Sequence, residues 1–193
     1  MGKIFYVSDL HFGHKNIIRY DNRPFSSVEE MDKVLINNWN ARVSKNDHVY
    51  VLGDIGWYND EKIAEIFHKL NGTKSLIKGN HDVITPNLYR EHCFDEYKDY
   101  LKIQDAGTTV VMSHYPMPFW DGQFKNSVHL YGHVHNSHQW NYVESIRREL
   151  APLQDIPMLM CNVGCMMPYM DYGPRTLYEI VNGYSRWCEA TNK

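Results

Sequence analysis

Short apolar runs alternate with segments of helical periodicity over the first 80 residues, and this alternation limits the fold more than any other feature. The apolar runs cover residues 4–7, 48–52 and 75–78. Between them, a segment from Ser26 or Ser27 to Trp39, and then residues 60–70, repeat apolar side chains at helical spacing. Strands separated by helices predict parallel pairing and an α/β fold. In such sheets, ligands collect at the carboxyl ends of the strands.

The rest of the chain predicts a second group of strands. Apolar runs place these strands at residues 97–104, 108–112, 127–131 and 158–163. The first two flank a turn at residues 105–107 and predict a hairpin or two adjacent strands. Residues 145–150 are charged and predict a surface helix or loop, whereas residues 176–181 fit either a short strand or a helix.

Polar side chains that can bind a metal ion follow the apolar runs at five places. They are Asp9 with His11, Asp54, Asn80, His114, and His133 with His135. Gly53, Gly79 and Gly132 precede three of these sets, where the absence of a Cβ lets backbone segments converge. Any one of these residues could be a hydrogen-bonded polar group at a strand end, but the repeated pattern favours a shared site. Seven ligands are too many for one tetrahedral zinc ion and suit two ions that share a carboxylate.

The order of these residues matches the motifs of a known family. The motifs D-x-H, G-D, G-N-H-D/E, H and G-H-x-H appear as Asp9-Leu10-His11, Gly53-Asp54, Gly79-Asn80-His81-Asp82, His114 and Gly132-His133-Val134-His135. On these motifs the chain resembles the calcineurin-like metallophosphoesterase superfamily, and especially its small single-domain bacterial and phage members. The resemblance is close over residues 3–135 and looser after them. It implies an α/β fold with four layers, α/β/β/α, in which two mixed β-sheets are flanked by helices.

The resemblance also implies a ligand set and a reaction. Asp9, His11 and His135 would hold one metal ion, Asn80, His114 and His133 would hold the other, and Asp54 would bridge the two. Two divalent ions about 3.5 to 4 Å apart can acidify a shared water, so that a bridging hydroxide attacks phosphorus in line with the leaving group. We expect His81 to assist the leaving-group oxygen, with Asp82 orienting its ring. Nitrogen and oxygen donors without a thiolate favour Mn and also suit Fe, Zn, Ni or Co.

Weaker signals concern the substrate. We expect His14 and Arg23 to bind phosphate oxygens, although a solvated helix surface is the alternative. The aromatic loop at residues 115–124 could be a substrate lid or wall, an anchored loop, or a dimer contact. Protein serine/threonine phosphatases of the family follow G-D with x-V-D-R-G, whereas this chain continues with Ile55-Gly56-Trp57. A phosphoprotein substrate is therefore disfavoured, and a small phosphodiester or nucleotide is preferred over a monoester.

Size and composition limit the partners. A chain of 193 residues with 43% hydrophobic content predicts one domain over residues 1–193. The net charge of -3 disfavours extended nucleic acid, and with it the alternative of a metal-dependent nuclease. The four cysteines form no C-x-x-C pair, and no apolar stretch approaches the roughly 20 residues that span a bilayer. We therefore expect a cytoplasmic monomer or homodimer with no membrane partner. A further alternative is a non-catalytic binding module, which would be expected to have lost ligands that this chain keeps.

Overall fold

The strands of the computed structural model form two four-stranded sheets within residues 2–153 and 155–191, the part of the chain that the structure describes. The strands are β1 (Ile4–Val7), β2 (His48–Val51), β3 (Thr73–Ile77), β4 (Glu96–Lys98), β5 (Tyr100–Asp105), β6 (Thr108–Ser113), β7 (Val128–Tyr131) and β8 (Met160–Asn162). The helices are α1 (Lys15–Tyr20), α2 (Val28–Arg42), α3 (Asp60–Lys69), α4 (Pro86–Arg90), α5 (His138–Leu150) and α6 (Leu177–Thr191). This order confirms the predicted α/β fold.

The first sheet has the order β1-β2-β3-β4, and its neighbouring strands are parallel. Helix α2 lies between β1 and β2 in the chain, and α3 lies between β2 and β3, as the alternation in the sequence predicted. Both faces of β1 are covered, since Phe5, Tyr6 and Val7 are each at most 3% exposed. At the other edge of β1, Tyr6 forms an antiparallel bridge with Arg175, which makes this sheet mixed.

The second sheet has the order β5-β6-β7-β8. Strands β5 and β6 form an antiparallel hairpin, and the other pairs are parallel. The hairpin turns at Ala106 and Gly107, which both have positive φ. One prediction was wrong here: residues 97–104 do not form a single strand, because the chain leaves the first sheet after β4 and enters the second at β5, with Asp99 between. Apolar periodicity does not reveal such a change of sheet.

Helices α2 and α3 cover the outer face of the first sheet. Helix α2 begins after Ser27, whose hydroxyl accepts the backbone N–H of Glu30, so the predicted N-cap is confirmed. Trp39 of α2 meets Phe67 of α3 edge to face, with ring centroids 6.4 Å apart, and both side chains are buried. This packing fixes the two helices as one layer over the sheet.

Helices α5 and α6 form the layer on the second sheet. Trp140 of α5 and Trp187 of α6 pack with ring centroids 4.7 Å apart, and α6 also contacts β8. The structure therefore assigns residues 176–181 mostly to a helix and extends the predicted segment at 145–150 to the whole of α5. With these helices the architecture is the four-layer α/β/β/α sandwich. Over the described ranges, no helix is both long and apolar enough to cross a bilayer.

The two sheets join at the carboxyl ends of β1 and β8. The backbone N–H of Ser8 donates to the carbonyl of Val163 at 2.8 Å, and the N–H of Cys165 donates to the carbonyl of Ser8 at 2.9 Å. Tyr6 and Arg175 exchange a second pair of backbone hydrogen bonds, at 2.8 and 3.1 Å. Strand β1 and the residue that follows it are therefore held in place by backbone hydrogen bonds to residues 163–175.

Candidate metal centre

The loops that follow β1 and β2 run side by side and continue the strand pairing. The N–H of Asp9 donates to the Gly53 carbonyl, and the N–H of His11 donates to the Asp54 carbonyl, each at 3.0 Å. Because both loops leave the same end of the parallel sheet, the side chains of Asp9, His11 and Asp54 reach one place. The loop after β7 brings His135 to them.

Asp9, His11, Asp54 and His135 form a cluster that could hold a metal ion. One ligand atom from each lies within 4.8 Å of all the others. Nε2 of His135 lies 3.3 Å from Nε2 of His11 and 3.4 Å from Oδ1 of Asp9, and Nε2 of His11 lies 3.7 Å from Oδ2 of Asp54. Two imidazole nitrogens and two carboxylates that face one point are donors that a divalent transition metal accepts.

The charges of this cluster also fit a cation. Burial raises the pKa of Asp54, and the charge of Asp9 adds to the effect while His114 opposes it. Burial lowers the pKa of His11, and the neighbouring His135 adds to that effect. A bound divalent cation would stabilise the ionised carboxylate and the neutral imidazole, which are the forms that act as ligands.

A second set of donors lies on the other side of Asp54. Oδ1 of Asn80 is 3.1 Å from Nε2 of His114 and 2.8 Å from Nδ1 of His133. Nδ1 of His114 donates to the Leu52 carbonyl at 2.7 Å, because a carbonyl oxygen only accepts, and this contact turns Nε2 of the ring toward the Asn80 oxygen. The amide oxygen and the two imidazole rings face one point, as the ligands of a divalent cation would. Oδ1 of Asp54 lies 3.6 Å from Nε2 of His114, whereas Oδ2 of Asp54 faces His11. The two carboxylate oxygens of Asp54 therefore face the two donor sets.

Close approach of the backbone at glycines brings these segments together. A Cβ on Gly79 would lie 2.2 Å from Oδ1 of Asp54, and a Cβ on Gly132 would lie 2.5 Å from Oδ2 of Asp9. Several candidate ligands also adopt left-handed backbone conformations, with φ between 49° and 68°: Asp9, His11, Asp54, His133 and His135. Such strained positions cluster at functional sites because the surrounding structure maintains them.

Asp21 orients His135 and was not found by the sequence analysis. Its two oxygens lie 2.8 and 2.9 Å from Nδ1 of His135, which turns Nε2 toward the metal cluster. Burial alone would lower the pKa of His135, but the hydrogen bond to Asp21 and the charge of Asp9 together raise it. Asp21 stands at the carboxyl end of α1, outside every motif, and its sequence context gives no sign of this contact.

Arg23, a predicted substrate contact, is buried behind the loop that carries Asp9. Its guanidinium is buried, donates to the carbonyls of Leu10 and Asp9 at 3.0 and 2.9 Å, and forms an ion pair with Asp21 at 2.9 Å. The sequence suggested a phosphate ligand because an arginine follows the first ligand pair. The planar guanidinium group of Arg23 instead binds the backbone of the loop that carries Asp9.

Asp82, predicted to orient the His81 ring, binds backbone N–H groups. Its Oδ2 accepts the N–H groups of Asp54 and Gly79, each at 2.8 Å, and its Oδ1 accepts the N–H of Ile55 at 2.9 Å. Both carboxylate oxygens therefore anchor two loops to each other, and the geometry does not support orientation of the His81 ring. The N–H of His81 donates to Oδ1 of Asp54 at 3.0 Å, and its side chain is exposed.

A cavity of about 690 Å³ opens over the cluster. His11, His14, Trp57, His81 and His135 contribute to its wall. The predicted substrate contact His14 thus lies in the cavity, with its ring stacked on the Trp57 indole at 4.0 Å. Of the loop at residues 115–124, Tyr115 packs on the His133 ring with centroids 4.5 Å apart, whereas no residue of that loop belongs to the described lining of the cavity.

Comparisons with known proteins agree with this arrangement. An uncharacterised protein of Methanocaldococcus jannaschii is 52% identical over 84 residues, which are 42% of this chain and 48% of that protein. The gene 66 protein of Mycobacterium phage L5 is 32% identical over 143 residues, or 60% of this chain and 64% of that one. The chain thus spans less than two thirds of either relative.

A solved structure and a family model cover more of the chain. The crystal structure of a protein of unknown function from Aquifex aeolicus superposes with a TM-score of 0.70 at 27% identity, over 93% of this chain and 98% of that chain. The family model described as the calcineurin-like phosphoesterase superfamily domain matches residues 3–181. The resemblance inferred from the motifs is therefore confirmed, and the chain belongs to the calcineurin-like phosphoesterase superfamily.

Proposed function

We propose that the chain is a hydrolase of small phosphate esters that works with two divalent metal ions. The observation that carries this proposal is the convergence, at one end of both sheets, of two donor sets on either side of Asp54. Family membership supports phosphoester chemistry. The oxygen and imidazole nitrogen atoms that face one another in these two sets are donors that a divalent transition metal accepts.

The two donor sets would hold the two ions. Asp9, His11 and His135 would hold one ion, Asn80, His114 and His133 would hold the other, and Asp54 would serve both. The bound ions would supply Lewis acidity for the phosphoryl oxygens and lower the pKa of a water molecule. The donors are nitrogen and oxygen atoms, and we propose Mn as the metal, with Fe, Zn, Ni and Co as alternatives.

His81 would assist the leaving group. Its ring lines the cavity, and its backbone N–H holds the loop against Asp54 at 3.0 Å. An imidazole nitrogen of His81 can therefore donate a proton to the ester oxygen that leaves, without serving as a metal ligand. His14, on the same wall, would contact the substrate. Asp82 would act indirectly, by fixing the backbone that carries His81.

We further propose that the chain acts as one domain and in the cytoplasm, as a monomer or homodimer. A continuous buried core with residues from both sheets supports one folding unit. Cys93, Cys161, Cys165 and Cys188 are free thiols, as expected in a reducing compartment. The net charge of -3 supports a small substrate over an extended nucleic acid.

A hydrolysis screen with counted metal tests the proposal. The protein is stripped with chelator, reloaded with Mn or another divalent metal, desalted, and assayed on aryl phosphomonoesters, diesters, cyclic nucleotides, dinucleotides and a single-stranded oligonucleotide. We expect about two metal ions per chain and metal-dependent release of product from a small ester. Asp54→Asn is the control, because it removes the carboxylate that both donor sets face. Two bound ions without any hydrolysis would favour the non-catalytic binding module, and cleavage of the oligonucleotide alone would favour the nuclease.

A further inference from the structure

Trp57 is held in an exposed position beside the candidate metal centre. Its side chain is 45% exposed, whereas Ile55 in the same loop is 3% exposed. The indole lies 4.4 Å from the His81 ring and 5.3 Å from the His11 ring, measured between centroids, and it lines the same cavity as both. An aromatic ring left in water at the wall of a cavity is a stacking surface for a planar ligand.

The backbone around Trp57 is fixed, so its exposure does not result from a loose loop. The N–H of Trp57 donates to the Phe12 carbonyl at 2.7 Å, and a Cβ on Gly56 would lie 2.8 Å from the same oxygen. The next residue, Tyr58, donates its hydroxyl to Asp32 at 2.9 Å. On one face of the indole, His14 stacks at 4.0 Å with an interplanar angle of 16°. The ring is thus oriented before any ligand arrives.

The side chains of the described cavity lining favour a substrate with one phosphate over one with several. The described lining contains six histidines and no lysine or arginine. The nearby Arg23 is buried and pairs with Asp21 and backbone carbonyls. A second or third phosphate would therefore find no fixed positive side chain in this wall. Aromatic and apolar side chains contribute to the rest of the lining, with Trp57, Ile17 and Tyr20 among them, together with the polar Asp21, Ser137 and Gln139.

We propose that Trp57 determines specificity, by stacking against the planar aromatic group of an ester that carries a single phosphate. The substrate class is then an aryl or nucleoside phosphate ester. Because the indole adjoins His81, a ring stacked on it lies beside the proposed proton donor. Trp57 and His81 also line a second cavity of about 230 Å³. This inference rests on the proposed function.

Two phosphonates test the role of the ring, compared at a pH above the second pKa of both so that they carry the same charge. Phenylphosphonate and cyclohexylphosphonate are similar in size and cannot be hydrolysed as esters, but only the first is planar. Binding to the Mn-loaded protein is measured by isothermal titration calorimetry. A planar ring gains stacking contact with an aromatic side chain that a cyclohexyl ring lacks, so we expect phenylphosphonate to bind about tenfold more tightly.

Three variants test whether Trp57 causes the preference for phenylphosphonate. Trp57→Leu should abolish it, while Trp57→Phe, which keeps a ring, should retain most of it. Phe119→Leu is the control, since Phe119 is 65% exposed in the loop at residues 115–124 but lies outside the cavity lining. The metal content of each variant is measured by mass spectrometry and should match that of the parent protein. A rise in KM for phenyl phosphate in Trp57→Leu, with kcat little changed, is the matching kinetic result.

Other outcomes overturn the proposal. Equal affinities of the two phosphonates, or a preference that survives in Trp57→Leu, would show that the indole does not select the ligand. Loss of the preference in Phe119→Leu would show that the loop at residues 115–124, and not Trp57, contacts the planar ring. Both results are compatible with ester hydrolysis and leave the proposed function intact. Failure of both phosphonates to bind, together with no hydrolysis of any ester, would remove the proposed function and this inference with it.

Discussion

Gly132→Ala is the sharpest test of how the two halves of the candidate metal centre converge. The added Cβ would lie 2.0 Å from Oγ of Ser8 and 2.5 Å from Oδ2 of Asp9, whereas real Cβ contacts stay above 3.0 Å. Ser8 must then retreat by about 1 Å and the Asp9 carboxylate by about 0.5 Å. Metal ligands tolerate only about 0.2 Å of error in distance. The φ of Gly132 is not positive, so the clash is the sole cause of damage.

The expected magnitude follows from this displacement. Overpacking of a tight interior typically costs about 1 to 3 kcal/mol in the free energy of unfolding. Disturbance of residues that orient metal ligands typically lowers metal affinity by about 10- to 100-fold. We therefore expect Gly132→Ala to lose Mn on desalting and to unfold at lower urea concentration, as measured by mass spectrometry and circular dichroism.

Gly173→Ala is the matched control for Gly132→Ala. Its Cβ would meet Asn38 at 3.3 Å and Arg42 at 3.5 Å, and its φ is also not positive. This variant should keep its metal and nearly all of its stability. The double variant Ser8→Ala with Gly132→Ala should regain stability but not metal, because the contact with Asp9 remains. Full metal content and unchanged stability in Gly132→Ala would refute the argument that close approach at this glycine positions Asp9.

Four further outcomes are expected. His81→Ala should keep its metal and lower kcat by about 100- to 10,000-fold, whereas the surface variant His68→Ala should match the parent; loss of metal in His81→Ala would contradict its assignment. Asp21→Asn should weaken Mn binding by about 10- to 100-fold, measured by competition with a chelator. Arg23→Gln should cost roughly 3 kcal/mol in urea unfolding, because the Asp21 carboxylate loses its ion pair with a buried guanidinium and keeps only His135 as a partner; an effect on KM alone would support its predicted role in substrate binding. Burial lowers the pKa of His129 to about 4, so as the pH falls from about 6.5 to 4 the unfolded chain binds a proton at this residue before the folded chain does. The free energy of unfolding should therefore drop by about 3 kcal/mol across that pH window. In urea titrations, the free energy of unfolding of His129→Gln should depend less steeply on pH.

Most of the first sheet could be predicted from the sequence because local and tertiary signals agree there. Strands β1 and β2 of the first sheet have apolar runs, and Ser27 caps α2 as its sequence suggests. The prediction failed where the chain changes sheets at Asp99, since side-chain periodicity carries no information on which sheet a strand joins. Helix α4 was missed because it has five residues, too few for a periodic pattern.

The candidate ligands could be found because their motifs are local, whereas the residues that support them could not. Asp21, Arg23 and Asp82 all act through contacts with distant segments or with backbone groups. Sequence proximity suggested that Asp82 serves His81 and that Arg23 serves the substrate. In the structure, burial requires each charged group to find a partner, and the nearest satisfying partners are loop carbonyls and N–H groups.

The backbone pairing of Ser8 with residues 163–165 has a consequence for biosynthesis. A nascent chain that has emerged from the ribosome as far as His135 already carries all seven candidate ligands, but it lacks the segment that holds Ser8 and the Arg175 partner of Tyr6. Contacts between residues so distant in the chain form late in folding. We therefore expect the centre to capture metal only after residues 163–175 have been translated.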